Sequence, residues 1–340
     1  MTQQPGGFVY VQTNDADHNQ VVVFARRAGG ELERRNSFLT GGKGSGEPHL
    51  PSQSSVLVDS NRLFVTNAGS DDVTVFSIDG DRLEVLDRIA SGGSAPRSVA
   101  VHAGGHVYVL NTGGEPNITG FELVRDRLVT IKESTQPAGT DPAQVAFSRD
   151  GRTLLVSDRA DSIHAFTVDG DGRAQQQVTY QSSGATPYGF DLTTDGVLVV
   201  TEAAGAQAGK ASASSYKLGG PAQLAPLSGP VGDTRSEVCW AAISKDGRTV
   251  FVTNFGDGTI STYAIGRDGS IELREAVAAT TVDGKPGIRD EALSSDGEYL
   301  YALHADSGRV FGWRIGAEGK LDPVGSTNGL PLTAAGLAAT

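Results

Sequence analysis

The fold of this chain is decided by a 24-residue pattern that occurs twice, as 63-LFVTNAGSDDVTVFSIDGDRLEVL-86 and as 250-VFVTNFGDGTISTYAIGRDGSIEL-273. Each copy reads as an apolar strand ending at an Asn, a Gly/Asp turn, a second strand, another Gly turn and a third strand. Alternating apolar residues rich in Val, Ile and Thr favour strands, and Asp-Gly favours tight hairpins. The pattern therefore predicts a small antiparallel sheet that the chain builds more than once.

The residue that ends the first strand of each copy serves as an anchor for finding further copies. Seven anchors are found at intervals of 44 to 54 residues: Thr13, Asn67, Asn111, Asp158, Glu202, Asn254 and His304. This period is that of a four-stranded propeller blade. We therefore predict seven blades, each with an opening strand ahead of the anchor strand.

The two ends of the chain predict how the ring of blades closes. The first copy begins directly at its anchor strand, 8-FVYVQT-13, whereas the last copy is followed by a surplus strand-like tail, 331-PLTAAGLAAT-340. A C-terminal strand that completes blade 1 would leave no sheet edge open. The predicted fold class is all-β, a seven-bladed β-propeller closed by this strand and forming one domain over residues 1–340.

Composition excludes several classes of function. The 45 glycines fit many short strands, and the net charge of −12 argues against nucleic-acid and anionic-membrane surfaces. The single Cys239 excludes internal disulfides, and neither a signal peptide nor 18 consecutive apolar residues is found. We expect a cytoplasmic protein that is a monomer or a weak homodimer.

Side chains from the opening strands and from the anchor ends are expected to meet at one face of the propeller, where functional loops converge. Arg97 and Arg289 suit a carboxylate or phosphate, since a guanidinium binds such groups through two parallel hydrogen bonds, although Arg289 also precedes acidic residues that could pair with it. Tyr188 and Trp240 could stack on a ring or fill the channel. Around them are expected His49, Asp141, Arg159, Arg235 and Glu237.

Two anchors differ most from the Asn and Asp residues that occupy most anchor positions. Glu202 could act as a general acid or base if burial raises its pKa, and His304 could titrate near neutrality. Both could equally be turn residues. Two Gly/Ala/Ser-rich insertions, 40–53 and 203–215, are expected to be mobile surface loops or, alternatively, a lid over the pocket.

The repeated FVTN…G…VTVF units resemble the YVTN-type repeat, and over residues 8–340 the chain resembles the seven-bladed lactonase family. This family includes propeller-type 6-phosphogluconolactonases and fungal 3-carboxy-cis,cis-muconate lactonizing enzymes. The resemblance implies a His on a middle opening strand, where 141-DPAQVAF-147 has Ala143 and Gln144. It implies Pro-Arg-His where the chain has Pro187-Tyr188-Gly189, and an Arg at Asn254. The family glutamate is matched by Glu202 in 199-VVTEA-203.

Three hypotheses about function follow. The first is an enzyme that hydrolyses or forms a small anionic lactone without a cofactor or metal, with catalytic Glu202 and His304 and with substrate bound by Arg97, Arg289, Tyr188, Trp240, His49, Gln144 and Asn254. The second is a non-catalytic propeller that binds a ligand or a protein. The third is a metal-assisted lactonase that uses the anchor oxygens of Asn67, Asn111, Asp158, Glu202 and Asn254.

Overall fold

The computed structural model describes residues 5–48, 50 and 53–340. The described residues form β-strands and three short 3₁₀ turns, the latter at Ala204–Ala206, Ala305–Ser307 and Ala317–Gly319. The strands are β1 (Gly7–Gln12), β2 (Gln20–Arg26), β3 (Leu32–Leu39), β4 (Val56–Asp59), β5 (Arg62–Asn67), β6 (Asp72–Asp79), β7 (Arg82–Ala90), β8 (Ser94–Val101), β9 (His106–Gly113), β10 (Asn117–Val124), β11 (Arg127–Thr130), β12 (Gln136–Pro137), β13 (Pro142–Phe147), β14 (Thr153–Asp158), β15 (Ser162–Val168), β16 (Ala174–Gln181), β17 (Pro187–Leu192), β18 (Val197–Glu202), β19 (Ser212–Leu218), β20 (Leu224–Gly232), β21 (Val238–Ile243), β22 (Thr249–Asn254), β23 (Thr259–Ile265), β24 (Ile271–Thr280), β25 (Ile288–Leu293), β26 (Tyr299–His304), β27 (Arg309–Ile315), β28 (Leu321–Thr327) and β29 (Ala335–Ala339).

The strands form seven sheets, which confirms the predicted seven-bladed β-propeller. Six sheets take consecutive strands, β4–β7, β8–β12, β13–β16, β17–β20, β21–β24 and β25–β28, and the seventh has the order β29-β1-β2-β3. In that last sheet β29 pairs antiparallel with β1, with Val9 opposite Ala339 and Val11 opposite Leu337. The C-terminal strand therefore supplies the innermost strand of blade 1, as its position in the sequence predicted. None of the helical segments in the described chain is long and apolar enough to cross a membrane.

A short motif, Ser/Thr-x-Asp-Gly, shapes the hairpin between the first two strands of blades 4 to 7. In 148-SRDG-151 the Ser148 hydroxyl donates to Asp150 Oδ1 over 2.6 Å and accepts from the Thr153 N–H over 2.9 Å. The Gly has φ +68°, a left-handed conformation that carries no steric cost without a Cβ. The same arrangement recurs at 193-TTDG-196, 244-SKDG-247 and 294-SSDG-297.

The hydrophobic core lies between blades rather than within them. Each of seven apolar clusters in the described chain joins two neighbouring sheets, from blades 1 and 2 around to blades 7 and 1. The cluster between blades 7 and 1 includes Tyr301 and Val310 from one sheet and Val11 and Leu337 from the other. Because each blade buries both faces against its neighbours, ring closure by β29 completes the core as well as the sheet.

The anchor positions are confirmed as strand ends, with small shifts. β5, β14, β18, β22 and β26 end at their anchors, β1 ends one residue before Thr13, and β9 continues two residues beyond Asn111. Five of the seven anchor side chains hydrogen-bond with the loop that enters their own blade, and these are Asn67, Asn111, Asp158, Glu202 and His304. Asn67 accepts from Thr40 over 2.7 Å, Asn111 donates to the Ser91 carbonyl over 3.2 Å, and Asp158 accepts from the Thr140 N–H over 2.9 Å.

Candidate functional site

In blades 4 to 7, the loop after the anchor runs beside the loop that enters the opening strand. The N–H groups of Arg159, Ala203, Phe255 and Ala305 donate to the carbonyls of Asp141, Thr186, Glu237 and Gly287, respectively, over 2.9–3.0 Å. The prediction that these two loops open on the same face is therefore correct for these blades. Six of these eight residues line one cavity.

In blades 5, 6 and 7 a bulge at the start of the opening strand turns a side chain toward this cavity. The pairing register shifts between Pro187 and Phe190 in β17, between Val238 and Ala241 in β21, and between Ile288 and Glu291 in β25. A bulge leaves residues outside the ladder and resets the alternation of the strand. The first residue inside each bulge, Tyr188, Cys239 or Arg289, consequently lines the cavity.

The cavity has a volume of about 340 Å³. We call it the arginine cavity, and the described residues that line it are Asp141, Arg159, Thr186, Tyr188, Ala203, Gly205, Ala206, Glu237, Val238, Cys239, Phe255 and Arg289. A volume of this order suits a ligand of the size of a sugar.

Arg159 is held in the cavity wall by two neighbours. Its Nη2 donates to Asp141 Oδ1, and its Nη1 lies 3.4 Å from the Tyr188 hydroxyl. The guanidinium carbon is 5.3 Å from the centre of the Tyr188 ring, within cation–π range. Nε of Arg159 receives no partner among the described groups. The Arg159 side chain is thus held in place in the cavity wall by Asp141 and Tyr188.

Arg289 reaches the same cavity from blade 7. It is only 6% exposed, its Nη2 lies 3.6 Å from Asp306 Oδ1, and its guanidinium carbon is 4.2 Å from the centre of the Phe255 ring. Arg97 is half-buried and does not line the cavity. Burial lowers its pKa, and the charge of the nearby Arg159 lowers it further. Burial also lowers the pKa of Arg289. This end of the channel therefore carries three guanidinium groups in a chain of net charge −12.

Tyr188 and Cys239 line the cavity with uncharged side chains. Burial raises the pKa of both side chains far above their usual ranges. Tyr188 can therefore donate a hydrogen bond but does not ionise near neutrality, and the Cys239 thiol lacks the thiolate character that a nucleophile needs. Trp240 packs 4.9 Å from Tyr188, centroid to centroid, and is 1% exposed, so it supports the cavity wall from behind.

Glu202 lies outside the cavity lining. It is completely buried, and its carboxylate accepts hydrogen bonds from the Gly184 N–H over 2.8 Å and from the Ser212 hydroxyl over 2.7 Å. The Ser182 hydroxyl donates over 3.4 Å. Burial raises the pKa of Glu202, and these hydrogen bonds oppose the rise. The carboxylate thus holds the loop that leads to Thr186 and Tyr188, as Asn67 and Asp158 do for the loops that enter their blades.

His304 is also buried beside the cavity rather than in its lining. Its Nε2 is 3.5 Å from the Lys285 carbonyl, and its ring lies edge-on to Phe311 with 6.3 Å between centroids. Burial lowers its pKa, with a smaller contribution in the same direction from the Arg289 charge. A neutral imidazole next to Arg289 is the result.

Two sequence expectations concern the loops. His49 falls outside the described residues, so its predicted place at the site stays a prediction.

The predicted insertion 203–215 is shorter than expected, because Ser212 already begins β19 and pairs with Glu202. The remaining part contributes Ala203, Gly205 and Ala206 to the cavity wall. The first part of β19 consists of Ser and Ala residues, so it lacks the β-branched, alternating pattern that predicts a strand.

A model of the family described as lactonase, 7-bladed β-propeller, matches residues 3–126, 117–207 and 203–326. The chain belongs to the seven-bladed β-propeller lactonase family. A 6-phosphogluconolactonase of Sodalis glossinidius (strain morsitans) is 31% identical over 126 residues, which are 34% of this chain and only 37% of that protein.

Solved propellers of this lactonase type share the fold. A Bacteroides fragilis protein provisionally named a 6-phosphogluconolactonase superposes with a TM-score of 0.73 at 16% identity, covering 100% of this chain and 99% of the other. The periplasmic gluconolactonase of Pseudomonas aeruginosa has a TM-score of 0.70 at 19% identity, covering 96% and 97% of the two chains. At these identities the likeness concerns the fold alone.

Two positions at which the family resemblance implies other residues have structural roles in this lactonase-family chain. Gln144 bridges blades 4 and 5, with its Nε2 donating to the Phe190 carbonyl over 2.9 Å and its Oε1 accepting from the Phe190 N–H over 2.7 Å. Asn254 donates to the hydroxyls of Ser261 over 2.8 Å and Thr259 over 3.3 Å. Neither residue lines the arginine cavity.

The hypothesis of a metal centre made by the anchor oxygens receives no support. The anchor side chains are engaged in separate hydrogen-bond networks, each within its own blade and entering loop. Within the described ranges, no three His, Cys, Asp or Glu side chains are grouped so as to hold a metal ion.

Sequence reasoning placed Arg159, Asp141 and Glu237 only in the surroundings of the site, whereas the structure puts all three in the cavity wall. The signal that could have selected them is positional. Arg159 directly follows an anchor, and Glu237 directly precedes an opening strand with a left-handed backbone of φ +53°. Those are the two positions at which the paired loops of each blade meet.

Proposed function

We propose that this protein is a lactonase that hydrolyses a small anionic lactone in the arginine cavity. The observation that carries the proposal is the pair Arg159 and Arg289, which come from blades 4 and 7 and both line the cavity, with Tyr188 and Glu237 from the blades between them. Guanidinium groups in a desolvated wall bind a carboxylate or phosphate more strongly than they would in water. Family membership supports the reaction class.

Lactone hydrolysis needs a general base that activates water and groups that stabilise the negative charge that develops on the carbonyl oxygen. Water adds to the lactone carbonyl carbon, the ring C–O bond breaks, and the ring oxygen takes up a proton to give the open hydroxy acid. In the proposed site Arg159 or Arg289 stabilises the carbonyl oxygen as its charge grows, and the Tyr188 hydroxyl donates a hydrogen bond. No cofactor takes part in these steps.

Three carboxylates are candidates for the general base. Glu237 lines the cavity and is half-buried, whereas Asp141 is already engaged by Arg159. Glu202 is the candidate that the family resemblance favours, but its carboxylate is directed to Gly184 and Ser212. We propose Glu237 as the base and Glu202 as a positioning residue. The reverse reaction, lactone formation from an open-chain acid, would use the same groups.

The decisive experiment is turnover of sugar lactones, their phosphorylated forms and muconate-type lactones by the wild type and by Arg159→Met. We expect kcat/KM of the variant to fall at least 100-fold on the best substrate, with an unchanged melting temperature. Arg314→Met is the matched control, since this Arg is 62% exposed and pairs with Glu298 on the surface. Equal loss in both variants, or no loss in Arg159→Met, would refute the site.

A non-catalytic binding protein is the second candidate. It is favoured because Glu202, Gln144 and Asn254 have structural roles and do not line the cavity. The cavity therefore has fewer titratable groups than the family resemblance implies. On this alternative, anionic sugars would raise the melting temperature of the wild type and not of Arg159→Met, while no lactone of the panel would be hydrolysed above background.

A further inference from the structure

The central channel contains a second cavity that shares no lining residue with the arginine cavity. It has a volume of about 330 Å³ and is bordered by the opening strands of blades 2 to 7. Its walls are mostly small and apolar. The polar side chains among the described lining residues are Gln53, Ser54, Gln144, Asp191 and Glu291.

Glu291 is the exceptional group in this cavity. The residue is only 5% exposed, and neither of its carboxylate oxygens has a hydrogen-bond partner among the described groups. Nearly all buried polar side chains in proteins are partnered, and a buried isolated carboxylate is costly. Protonation would remove the charge but would still leave both oxygens without partners. Both Glu291 oxygens are therefore open to a partner that does not come from the described chain.

Neighbouring carboxylates determine the sign of that partner. Asp191 lines the same cavity, with its Oδ2 accepting from the Ile243 N–H over 2.8 Å and its Oδ1 from the Leu192 N–H over 2.8 Å. Asp290 accepts from the Gly336 N–H over 2.6 Å. Both charges bear on Glu291, and no Lys, Arg or His is among the described residues that line this cavity. The positive charge of Arg149 acts to lower the pKa of Asp191, and that of Arg289 acts to lower the pKa of Asp290, in each case against a larger rise from burial.

We propose that the central channel binds a hydrated divalent cation between Glu291 and Asp191. Oxygen ligands suit Mg²⁺ and Ca²⁺, and Mg²⁺ in particular keeps several waters when only one or two carboxylates bind it. This fits a channel in which the described side chains offer two carboxylates and no three-residue metal group. Because the ring of opening strands surrounds it, the cation would link blades 5 and 7 across the channel and stabilise the closed propeller.

The test is thermal unfolding of chelator-treated protein titrated with MgCl₂ or CaCl₂, at an ionic strength kept constant with NaCl. Ligand that binds only the folded state raises its stability, so the wild type is expected to melt roughly 5 °C higher at a hundred times Kd. Glu291→Gln, which keeps the shape and removes the charge, is expected to lose this rise. Glu298→Gln is the control, since Glu298 lies on the surface of the same blade and is 57% exposed.

Each outcome is decisive. No rise in the wild type, or an equal rise in Glu291→Gln, overturns the proposal and favours a protonated, water-filled channel. If Glu291→Gln does not fold, Glu291→Asp retains the charge but shortens its reach. Its apparent cation affinity is then expected to fall at least tenfold, and an unchanged affinity would equally refute the site. Calorimetric titration of the wild type should give one cation per chain.

Discussion

Replacing two glutamates by glutamine, one at a time, separates a carboxylate that acts on substrate from one that holds a loop. Glu237 lines the arginine cavity, whereas Glu202 is buried under the loop that enters blade 5. The substitution is the same in both and changes the side-chain volume very little. Any difference between the variants therefore reports the location of the carboxylate.

The magnitudes follow from the contacts. A general base contributes about 10²- to 10⁴-fold to the rate, so Glu237→Gln is expected to lower kcat at least 100-fold with little change in melting temperature. Glu202→Gln keeps one acceptor for the Gly184 N–H and loses a charge-assisted bond from Ser212, at a cost of about 1 kcal/mol. Glu202→Ala loses both acceptors and leaves a small cavity, which costs about 3 kcal/mol and lowers the melting temperature by roughly 5–10 °C.

Two measurements check this prediction. Kinetics on the best lactone of the panel give kcat and KM, and urea unfolding gives the free energy of unfolding for the same preparations. For Glu202→Gln we expect kcat within about tenfold of wild type and a raised KM, because the loop that positions Thr186 and Tyr188 is loosened. If Glu202→Gln instead lowers kcat at least 100-fold while its stability is unchanged, the reasoning is refuted and Glu202 is the catalytic group.

Three further predictions concern the whole fold. Burial raises the pKa of Asp191 to about 6 and that of Asp290 to about 7, so the folded state binds more protons than the unfolded state between about pH 4 and 7. In chelator, the free energy of unfolding should therefore fall as the pH rises from 5.5 to 8, and Asp290→Asn should flatten that slope; an equal slope in the variant would contradict it. Deleting 335–340 removes β29, so the melting temperature should fall by more than 10 °C or the protein should aggregate, whereas an unchanged melting curve would show that closure does not matter. Cys239, which is 5% exposed, should react with a thiol reagent at least 100-fold more slowly in the native protein than in urea, and equal rates would contradict its burial.

The sequence predicted the architecture well because every blade is built from the same repeated sequence pattern. The anchors fall at or within two residues of the strand ends, and the tail that was assigned to blade 1 does pair with β1. The hairpin motif Ser/Thr-x-Asp-Gly forms its turn through contacts within five residues, so tertiary context changes it little.

The places of the candidate site residues were only partly predictable from the sequence. Tyr188 and Arg289 were expected at the channel mouth and do line the cavity. Glu202 and His304 differ in residue type from the other anchors, yet they hydrogen-bond with their entering loops as three of the other anchors do. Register shifts in β17, β21 and β25 set which side chains of those opening strands line the cavity, and strand periodicity in the sequence does not reveal them.

The sequence by itself determined the number of blades, the hairpin turns and the strand that closes the ring, because each depends on local periodicity and on residues near one another in the chain. Only the tertiary structure decided which polar side chains share a cavity. Arg159 and Arg289 are 130 positions apart in the sequence and come from different blades, and their shared place depends on ring geometry and on two loops paired by backbone hydrogen bonds. Closure of the ring likewise buries Glu291 in the channel wall and leaves both of its carboxylate oxygens without a hydrogen-bond partner among the described residues.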